Sequence, residues 1–350
     1  MYVLIGILLL GILIAVHEFG HFIAARLSGI EVMEFAIGMG PKIFGWTGKS
    51  GTKFSLRCIP LGGFCAFYGE DDVEGKTKDD PRAYSKQNVW KRIFTVAMGP
   101  VMNFVLALAV AIAVYAFMEM PLYEPVITEI VAGAPAAEAG LLPGDVITMV
   151  DGVNVLDGTT TALSAAIGNI DGVQEHRLTV RRGEETFEAV AATYWDEAEG
   201  KYRIGITFTG QVMGSVRLSL GEAVREGWGY CLDAGTAVFD ALGQIFTNPE
   251  VRDQMAGPVG TVQVVSQAVK QDGLIAFLSL LVMISVNLGI MNLLPIPGLD
   301  GSRIVFHVIE AVRGKPIKPE REAMVHFIGM LFLFGLMIFF TFKDVIRLFH

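Results

Sequence analysis

The sequence is poor in charged residues and in cysteines, and it has no basic cluster with interleaved aromatic side chains. Only 18% of its 350 residues are charged while 52% are hydrophobic, a composition outside the usual range of soluble globular proteins. The net charge of −9 and the missing basic clusters argue against nucleic acid as a partner. Three scattered cysteines are too few for a disulfide framework or a zinc-thiolate site: Cys58, Cys65 and Cys231.

Four apolar segments are long enough to cross a bilayer, which needs roughly 20 apolar residues. They are residues 1–25, 96–118, 273–299 and 323–343. The first segment lacks the basic start and the convincing cleavage site of a secretory signal peptide, so we expect it to be retained. The sequence therefore predicts a polytopic α-helical membrane protein with about four transmembrane helices and a soluble insert.

The first apolar segment contains an H-E-x-x-H motif at residues 17–21. His17 and His21, four residues apart, would share one helix face and could bind one Zn²⁺, with Glu18 as a general base. The alternative is a chance match. A chance match would leave three ionisable groups without partners in lipid, at a cost of several kcal/mol. The motif therefore indicates peptide-bond hydrolysis at or within the bilayer.

The end of the third apolar segment offers a further ligand. A catalytic zinc ion needs a third protein ligand and one open position for water. The run N-L-L-P-I-P-G-L-D covers residues 292–300, and Asp300 is the acidic residue at its end. Its two prolines should unwind the helix, so the carboxylate could turn inward. The alternative is a loop aspartate or a helix N-cap.

Two stretches between the apolar segments predict β-structure. In residues 26–95, the segment from Lys53 to Tyr68 partly alternates polar and apolar residues, which predicts a membrane-associated β-hairpin with its turn near Pro60–Gly63. The acidic segment from Glu70 to Asp80 is most simply a solvated loop. Residues 124–209 predict a soluble α+β domain, and residues 216–272 predict an amphipathic helical connector broken at Asn248-Pro249 and Gly257-Pro258.

The soluble domain is predicted in more detail from its local pattern. A short helix is predicted at residues 134–141 and a hairpin turn at Asp151-Gly152. Strands are predicted at residues 126–131, 146–150, 176–181, 186–192 and 202–208. The run from Ala134 to Gly152 resembles the G-x-P-A-x-x-A-G-L-x-x-G-D-x-I pattern of PDZ domains, which implies one PDZ-like domain.

Lysine and arginine are unevenly distributed among the connecting segments. Residues 25–95 carry 11 of them, residues 119–271 carry 9 over twice the length, and residues 295–322 carry 5. Dense positive loops belong in the cytoplasm. We therefore expect residues 26–95 and 300–322 on the cytoplasmic side, with His17 and His21 near them. Both termini and the PDZ-like domain would then be extracytoplasmic.

Together these motifs resemble the site-2 protease family of intramembrane zinc metalloproteases, in its bacterial, RseP-like form with a single PDZ domain. The resemblance covers nearly the whole chain. H-E-x-x-H in the first segment, G-P-V-M-N at residues 99–103, the PDZ-like insert and N-x-x-P-x-P-x-L-D-G in the third segment follow the family's order. The one departure is Ser302, which stands where a second glycine is common.

The resemblance implies roles for individual residues. His17, His21 and Asp300 would bind one Zn²⁺ per chain. Glu18 would act as the base. Asn292 would hydrogen-bond the substrate backbone, with Asn287 as an assisting residue, and the β-hairpin would receive the unwound substrate by strand addition.

The implied activity is cleavage of transmembrane segments of signalling proteins, known as regulated intramembrane proteolysis, or of signal-peptide remnants. The substrates would be membrane-spanning proteins trimmed beforehand by another protease, in the bacterial cytoplasmic membrane. Two other functions remain open. One is a catalytically silent membrane PDZ scaffold, which would have no need of Glu18. The other is a metal transporter, which predicts ligands stacked along a path rather than at one site.

Overall fold

Long apolar runs form helices and alternating runs form strands in the computed structural model, which describes residues 2–70, 77, 80–156, 162–168, 172–197, 200–244, 247–248, 257–315, 317 and 319–349. The helices are α1 (Tyr2–Ser28), α2 (Val89–Phe117), α3 (Pro135–Glu138), α4 (Ala162–Gly168), α5 (Leu220–Gln244), α6 (Pro258–Leu293), α7 (Asp300–Arg313) and α8 (Pro319–Phe349). The strands are β1 (Val32–Thr47), β2 (Lys53–Phe67), β3 (Met120–Ile130), β4 (Val146–Val150), β5 (Val153–Asn154), β6 (Glu175–Arg182), β7 (Glu185–Ala192), β8 (Tyr194–Asp196), β9 (Lys201–Arg203) and β10 (Ile206–Val216).

The chain divides into two compact units. The helical unit comprises Met1–Val114 and Ala223–His350, and the inserted unit comprises Tyr115–Glu222. Within the part of the chain that the structure describes, four helices are long and apolar enough to cross a membrane, namely α1, α2, α6 and α8. This confirms the predicted four spans by length and composition, and the protein is a multi-pass membrane protein.

All four helices have bounds that differ from the predicted segments: α1 ends at Ser28 rather than at residue 25, α8 spans Pro319–Phe349 rather than residues 323–343, and α2 and α6 differ most. Helix α2 begins at Val89 rather than at residue 96, and the side chain of Asn88 accepts a hydrogen bond from the N–H of Trp90 at 2.8 Å. Helix α6 joins the end of the predicted connector to the third apolar segment, and Gly273 interrupts it with φ 64° and ψ −135°. Leu294, which precedes Pro295, is extended, so α6 ends at Leu293.

Strands β1 and β2 form a sheet of the helical unit, but the predicted hairpin turn at Pro60–Gly63 is wrong. The turn between β1 and β2 lies at residues 48–52, where the N–H of Gly48 bonds to the carbonyl of Thr52 at 2.8 Å. Residues 34–37 of β1 pair with 63–66 on one side and with 53–56 on the other. Strand β1 therefore separates the two segments that were expected to pair, and Gly62, with φ 81°, bends β2 between them.

The inserted unit is built on a sheet with the order β10-β3-β4-β6-β7, with β5 paired to β4 and a separate β8–β9 pair. Strand β6 alternates exposed and buried residues, as a strand with one buried face should. Apolar side chains of several strands form one core, including Ile127, Ile147, Leu178 and Val180.

Local signals located β4, β6 and β7 to within one residue, but β3 begins at Met120 rather than at residue 126, and α4, β5 and β8 were not predicted. The turn at Asp151-Gly152 has φ 51° and φ 82°, the positive values that a two-residue hairpin turn needs. The single strand predicted at residues 202–208 is wrong, because Gly205 with φ 86° separates β9 from β10. The predicted loop from Glu70 to Asp80 lies mostly outside the described residues. Of the predicted break at Asn248-Pro249, only Asn248 lies within them.

Candidate metal centre

Three side chains with metal-binding atoms meet where α1 approaches the start of α7. His17 and His21 share one face of α1, and Asp300 is the first residue of α7. Oδ2 of Asp300 lies 3.0 Å from Nε2 of His17 and 3.3 Å from Nε2 of His21, and the two histidine nitrogens are 3.3 Å apart. The structure thus brings together the three residues that the sequence proposed as ligands.

These three atoms form a triangle of the size of one face of a tetrahedral zinc site. With bonds of about 2.0 Å, the ligand atoms of such a site lie roughly 3.3 Å apart. Oδ2 of Asp300 is buried, and its polar neighbours among the described residues are the two histidine nitrogens. Two imidazoles and a carboxylate leave a fourth position for water. The donor set and its geometry therefore fit a catalytic metal ion.

Helix α7 reaches the histidines because its first turn packs directly on the end of α6. A Cβ atom at Gly301 would collide with the carbonyl oxygens of Leu293 and Leu294, so a larger residue would displace α7. The prolines after Leu293 end α6, and the chain re-enters a helix at Asp300. Close packing therefore requires glycine at position 301. The next residue, Ser302, fits here, and its hydroxyl donates a hydrogen bond to the carbonyl oxygen of Leu299 at 2.8 Å.

Helix α2 supports both histidines from the side opposite Asp300. The Nδ1 atom of His21 donates to the carbonyl oxygen of Thr95 at 2.9 Å. A Cβ atom at Gly99 would collide with the His21 ring, so only glycine allows this approach. Asn103, one turn further along α2, contacts Nδ1 of His17. The G-P-V-M-N motif had signalled this helix, but sequence reasoning missed Thr95, because a backbone carbonyl leaves no residue-type signal.

Glu18 lies beside the triangle, in the wall of a cavity of about 480 Å³. Its side chain is buried, and residues 63–67 of β2 form another wall of the cavity. A Cβ atom at Gly63 would lie 2.8 Å from Cγ of Glu18, so glycine allows β2 to approach the glutamate closely. The Glu18 carboxylate, the candidate metal-binding site and the edge of β2 therefore surround one cavity that could hold a peptide.

The two asparagines predicted to contact substrate differ in position. Asn292 lines the cavity together with Asp300 and Glu18. Asn287 is exposed on α6 and is not among the residues that line the cavity. Geometry therefore supports a substrate contact for Asn292, while the role of Asn287 stays a prediction.

A group of polar side chains ties α7 to the rest of the helical unit. Glu70, just after β2, forms an ion pair with Arg303, and both line the cavity. Arg92 of α2 pairs with Glu310 at 2.6 Å. Burial, reinforced by the nearby cations Arg92 and Arg303, lowers the pKa of His307 to about 3. His307 is therefore neutral at physiological pH, and its Nε2 can accept a hydrogen bond from the Tyr84 hydroxyl at 3.1 Å.

Hydrolysis of a peptide bond by a water molecule that a metal ion activates is the chemistry this set of groups can support. The class of protein defined in this way is a metal-dependent peptidase set among membrane helices. The sequence matches the model of Peptidase family M50 over residues 5–336, and the chain belongs to that family. The resemblance to site-2 proteases noted from the motifs is thereby confirmed.

Similar proteins match over almost their whole length. A relative in Agrobacterium fabrum is 34% identical, over 98% of this chain and 95% of its own. Zinc metalloprotease RasP of Bacillus licheniformis is 31% identical, over 98% of both chains. Regulator of sigma-W protease RasP of Bacillus subtilis is also 31% identical, again over 98% of both chains.

One solved structure resembles part of the chain. It is the PDZ domain of the SdrC-like protein of Listeria innocua, at 20% identity over 26% of this chain and 99% of that chain. The TM-score is 0.23, and at that level the similarity carries no argument about the fold of the inserted unit.

Proposed function

We propose that this protein is an intramembrane zinc metalloendopeptidase that cleaves the membrane-spanning segments of other proteins. In this proposal His17, His21 and Asp300 bind one Zn²⁺. The observation that carries it is the triangle of ligand atoms, with sides of 3.0, 3.3 and 3.3 Å, next to the buried Glu18. Relatives named as zinc metalloproteases support zinc as the metal.

Glu18 is the residue that would move protons. When bound, zinc lowers the pKa of a water molecule and polarises the scissile carbonyl. The Glu18 carboxylate takes a proton from the attacking water and passes it to the leaving amine. Its place in the cavity wall, with the ligand atoms on one side and Gly63 on the other, suits both transfers.

The substrate would bind as an extended strand along residues 63–67 of β2. These residues line the cavity and pair with β1 on one side, and within the described residues no strand pairs with their other side. A transmembrane helix has satisfied backbone groups, so it must unwind locally before its peptide bonds are accessible. Strand addition at this edge and hydrogen bonds from Asn292 would stabilise the unwound segment.

Several broader features form part of the same proposal. The substrates are transmembrane segments of signalling proteins or signal-peptide remnants, and a relative named as a regulator of sigma-W supports the signalling role. The inserted unit is PDZ-like and extracytoplasmic, where it favours substrates already trimmed by another protease. The active site faces the cytoplasmic side of the bacterial inner membrane, in line with the distribution of lysine and arginine.

The test compares wild type with Glu18→Gln in detergent, using a single-span helical substrate and elemental analysis of zinc. Glu138→Gln, an exposed glutamate in α3, is the matched control. We expect Glu18→Gln to retain about one zinc per chain and to lose about 10²–10⁴-fold in cleavage rate. The control should cleave at the wild-type rate. Wild-type cleavage by Glu18→Gln would exclude the glutamate as the base, and a wild type without zinc would favour a PDZ scaffold instead.

A further inference from the structure

Asn103 is a buried side chain next to the metal centre to which the proposed mechanism gives no role. It is 0% exposed, and its Nδ2 atom lies 3.2 Å from Nδ1 of His17. Its Oδ1 atom is buried and has no hydrogen-bond partner among the described residues. Its backbone carbonyl accepts a hydrogen bond from the Ser285 hydroxyl of α6 at 2.7 Å.

The tautomer of His17 determines whether the oxygen or the nitrogen of the Asn103 amide faces the imidazole ring. A neutral imidazole has one N–H and one acceptor nitrogen. If the Asn103 amide donates to Nδ1, then Nε2 carries the proton and its lone pair cannot bind a metal ion. If Oδ1 faces Nδ1 instead, Nδ1 carries the proton and Nε2 is free. Amide oxygen and nitrogen have nearly the same shape, so a 180° rotation exchanges them without repacking.

The other histidine shows what this arrangement achieves. His21 donates from Nδ1 to the carbonyl of Thr95, which leaves its Nε2 available to the triangle. Asn103 lies two helical turns from Thr95 on α2. Its side-chain amide contacts Nδ1 of His17, just as the Thr95 carbonyl contacts Nδ1 of His21. Metal-binding histidines generally have such an acceptor at their second nitrogen, and it fixes both tautomer and ring orientation.

We propose that Asn103 is a positioning residue that accepts a hydrogen bond from Nδ1–H of His17 through its Oδ1 atom. This leaves Nε2 of His17 unprotonated toward Asp300 and so raises the metal affinity of the site before any substrate binds. The inference rests on the proposed function, because it assumes that the triangle binds zinc. It adds a role for α2, whose Thr95 and Asn103 each hold one histidine in the tautomer that binds a metal.

The experiment measures zinc affinity of the full-length apoprotein in detergent by competition with a fluorescent chelator. Asn103→Leu keeps the size of the side chain and removes the acceptor. Asn103→Asp keeps an acceptor and cannot donate while ionised. Ser285→Ala is the matched control, since it removes a buried hydrogen bond from the same place and leaves every atom that faces His17 unchanged.

We expect Asn103→Leu to raise the zinc dissociation constant by about 10–100-fold. Asn103→Asp should bind zinc at least as tightly as wild type. Ser285→Ala should lower the thermal unfolding midpoint without changing the dissociation constant. Wild-type affinity in Asn103→Leu would overturn the inference. An equal loss of affinity in the Leu and Asp variants would also overturn it, because neither side chain can donate a hydrogen bond and the loss would then be that of an amide donor. A wild type that binds no zinc would refute the proposed function itself, which separates the two failures.

Discussion

In the inserted unit the buried side chains are mainly apolar, with a few polar ones such as Asp145, whereas the helical unit buries more polar groups and exposes many large apolar ones. Ile147 and Leu178 of the inserted unit are 0% exposed. In the helical unit Asn103 and Ser285 are equally buried, while Leu331 of α8 is 64% exposed. Both distributions of polar and apolar residues suit their surroundings, because water solvates exposed polar groups favourably and lipid does not.

The difference explains how one chain can hold a polar site in an apolar region. The inserted unit gains stability by removing apolar surface from water. In the helical unit a buried polar side chain must find a partner within the protein, as the Ser285 hydroxyl does at the backbone carbonyl of Asn103. The candidate metal centre extends the same rule, because each histidine has a partner on α2 and faces Asp300 with its other nitrogen.

The largest expected effect concerns ion pairs in the two units. Arg92 and Glu310 in the helical unit are 7% and 17% exposed, whereas Arg177 and Glu188 in the inserted unit are 68% and 66% exposed. Arg92→Met leaves a largely buried carboxylate without its partner, and we expect it to lower the free energy of unfolding by about 3–5 kcal/mol. Arg177→Met should cause no measurable change, since exposed pairs are screened by water. Chemical unfolding in detergent measures both.

The double variant Arg92→Met/Glu310→Leu is the control for this prediction. An apolar pair of similar volume needs no charge compensation, so it should recover most of the stability that Arg92→Met loses. Equal losses in the single and double variants would show that Arg92 contributes through contacts other than this ion pair, such as its hydrogen bond to the carbonyl oxygen of Gln87.

A second prediction tests whether the exposed apolar faces of the two units meet different surroundings. Leu331 in α8 and Val190 in β7 are 64% and 55% exposed. A lysine near the middle of a membrane span costs about 2.5–3.5 kcal/mol, so Leu331→Lys should lower the fraction of protein that resists carbonate extraction from membranes. Val190→Lys should insert as wild type does, because its side chain reaches water. Full insertion of Leu331→Lys would mean that this face of α8 does not contact lipid.

Features of the fold that depend on neighbours in sequence were predictable, and those set by distant contacts were not. Strand β4 begins and ends where predicted, because the turn at residues 143–145 and the positive-φ turn at Asp151 bound it locally. The pairing of β1 between two parts of β2 was missed. The register of such a sheet depends on where the turn falls and on which face of each strand is buried, and the alternation within residues 53–68 alone reveals neither.

The candidate site shows the same division. The spacing of His17 and His21 is a local property of one helix, so it was visible at once. Asp300 could be proposed from the two prolines that precede it and from the resemblance to site-2 proteases. Its approach to the histidines also requires Gly301 to pack against the end of α6. Thr95 and Gly63 contribute a backbone carbonyl and an absent side chain, and neither leaves a chemical signature in a sequence.

The smallest expected effect lies in the inserted unit, where a buried charge is held by hydrogen bonds as in a water-soluble protein. Asp145 accepts hydrogen bonds from Arg182 at 2.7 Å and from the N–H of Leu142 at 2.8 Å. Burial alone would raise the pKa of Asp145, but the hydrogen bonds from Arg182 and Leu142 outweigh it and hold the pKa below its usual range. Asp145→Asn keeps the shape and loses the charge, which should cost about 1–2 kcal/mol at pH 7.

The pH dependence of that difference identifies its origin. Because the folded pKa of Asp145 is lowered, its contribution is complete above the unfolded pKa of about 3.9 and is lost as pH falls below that value. Hydrogen exchange in β4 of the full-length protein should therefore be faster in Asp145→Asn than in wild type at pH 7. The two should converge only as the pH falls through the lowered folded pKa of Asp145, because below it both side chains are neutral. A difference that persists in acid would assign the effect to packing rather than to charge.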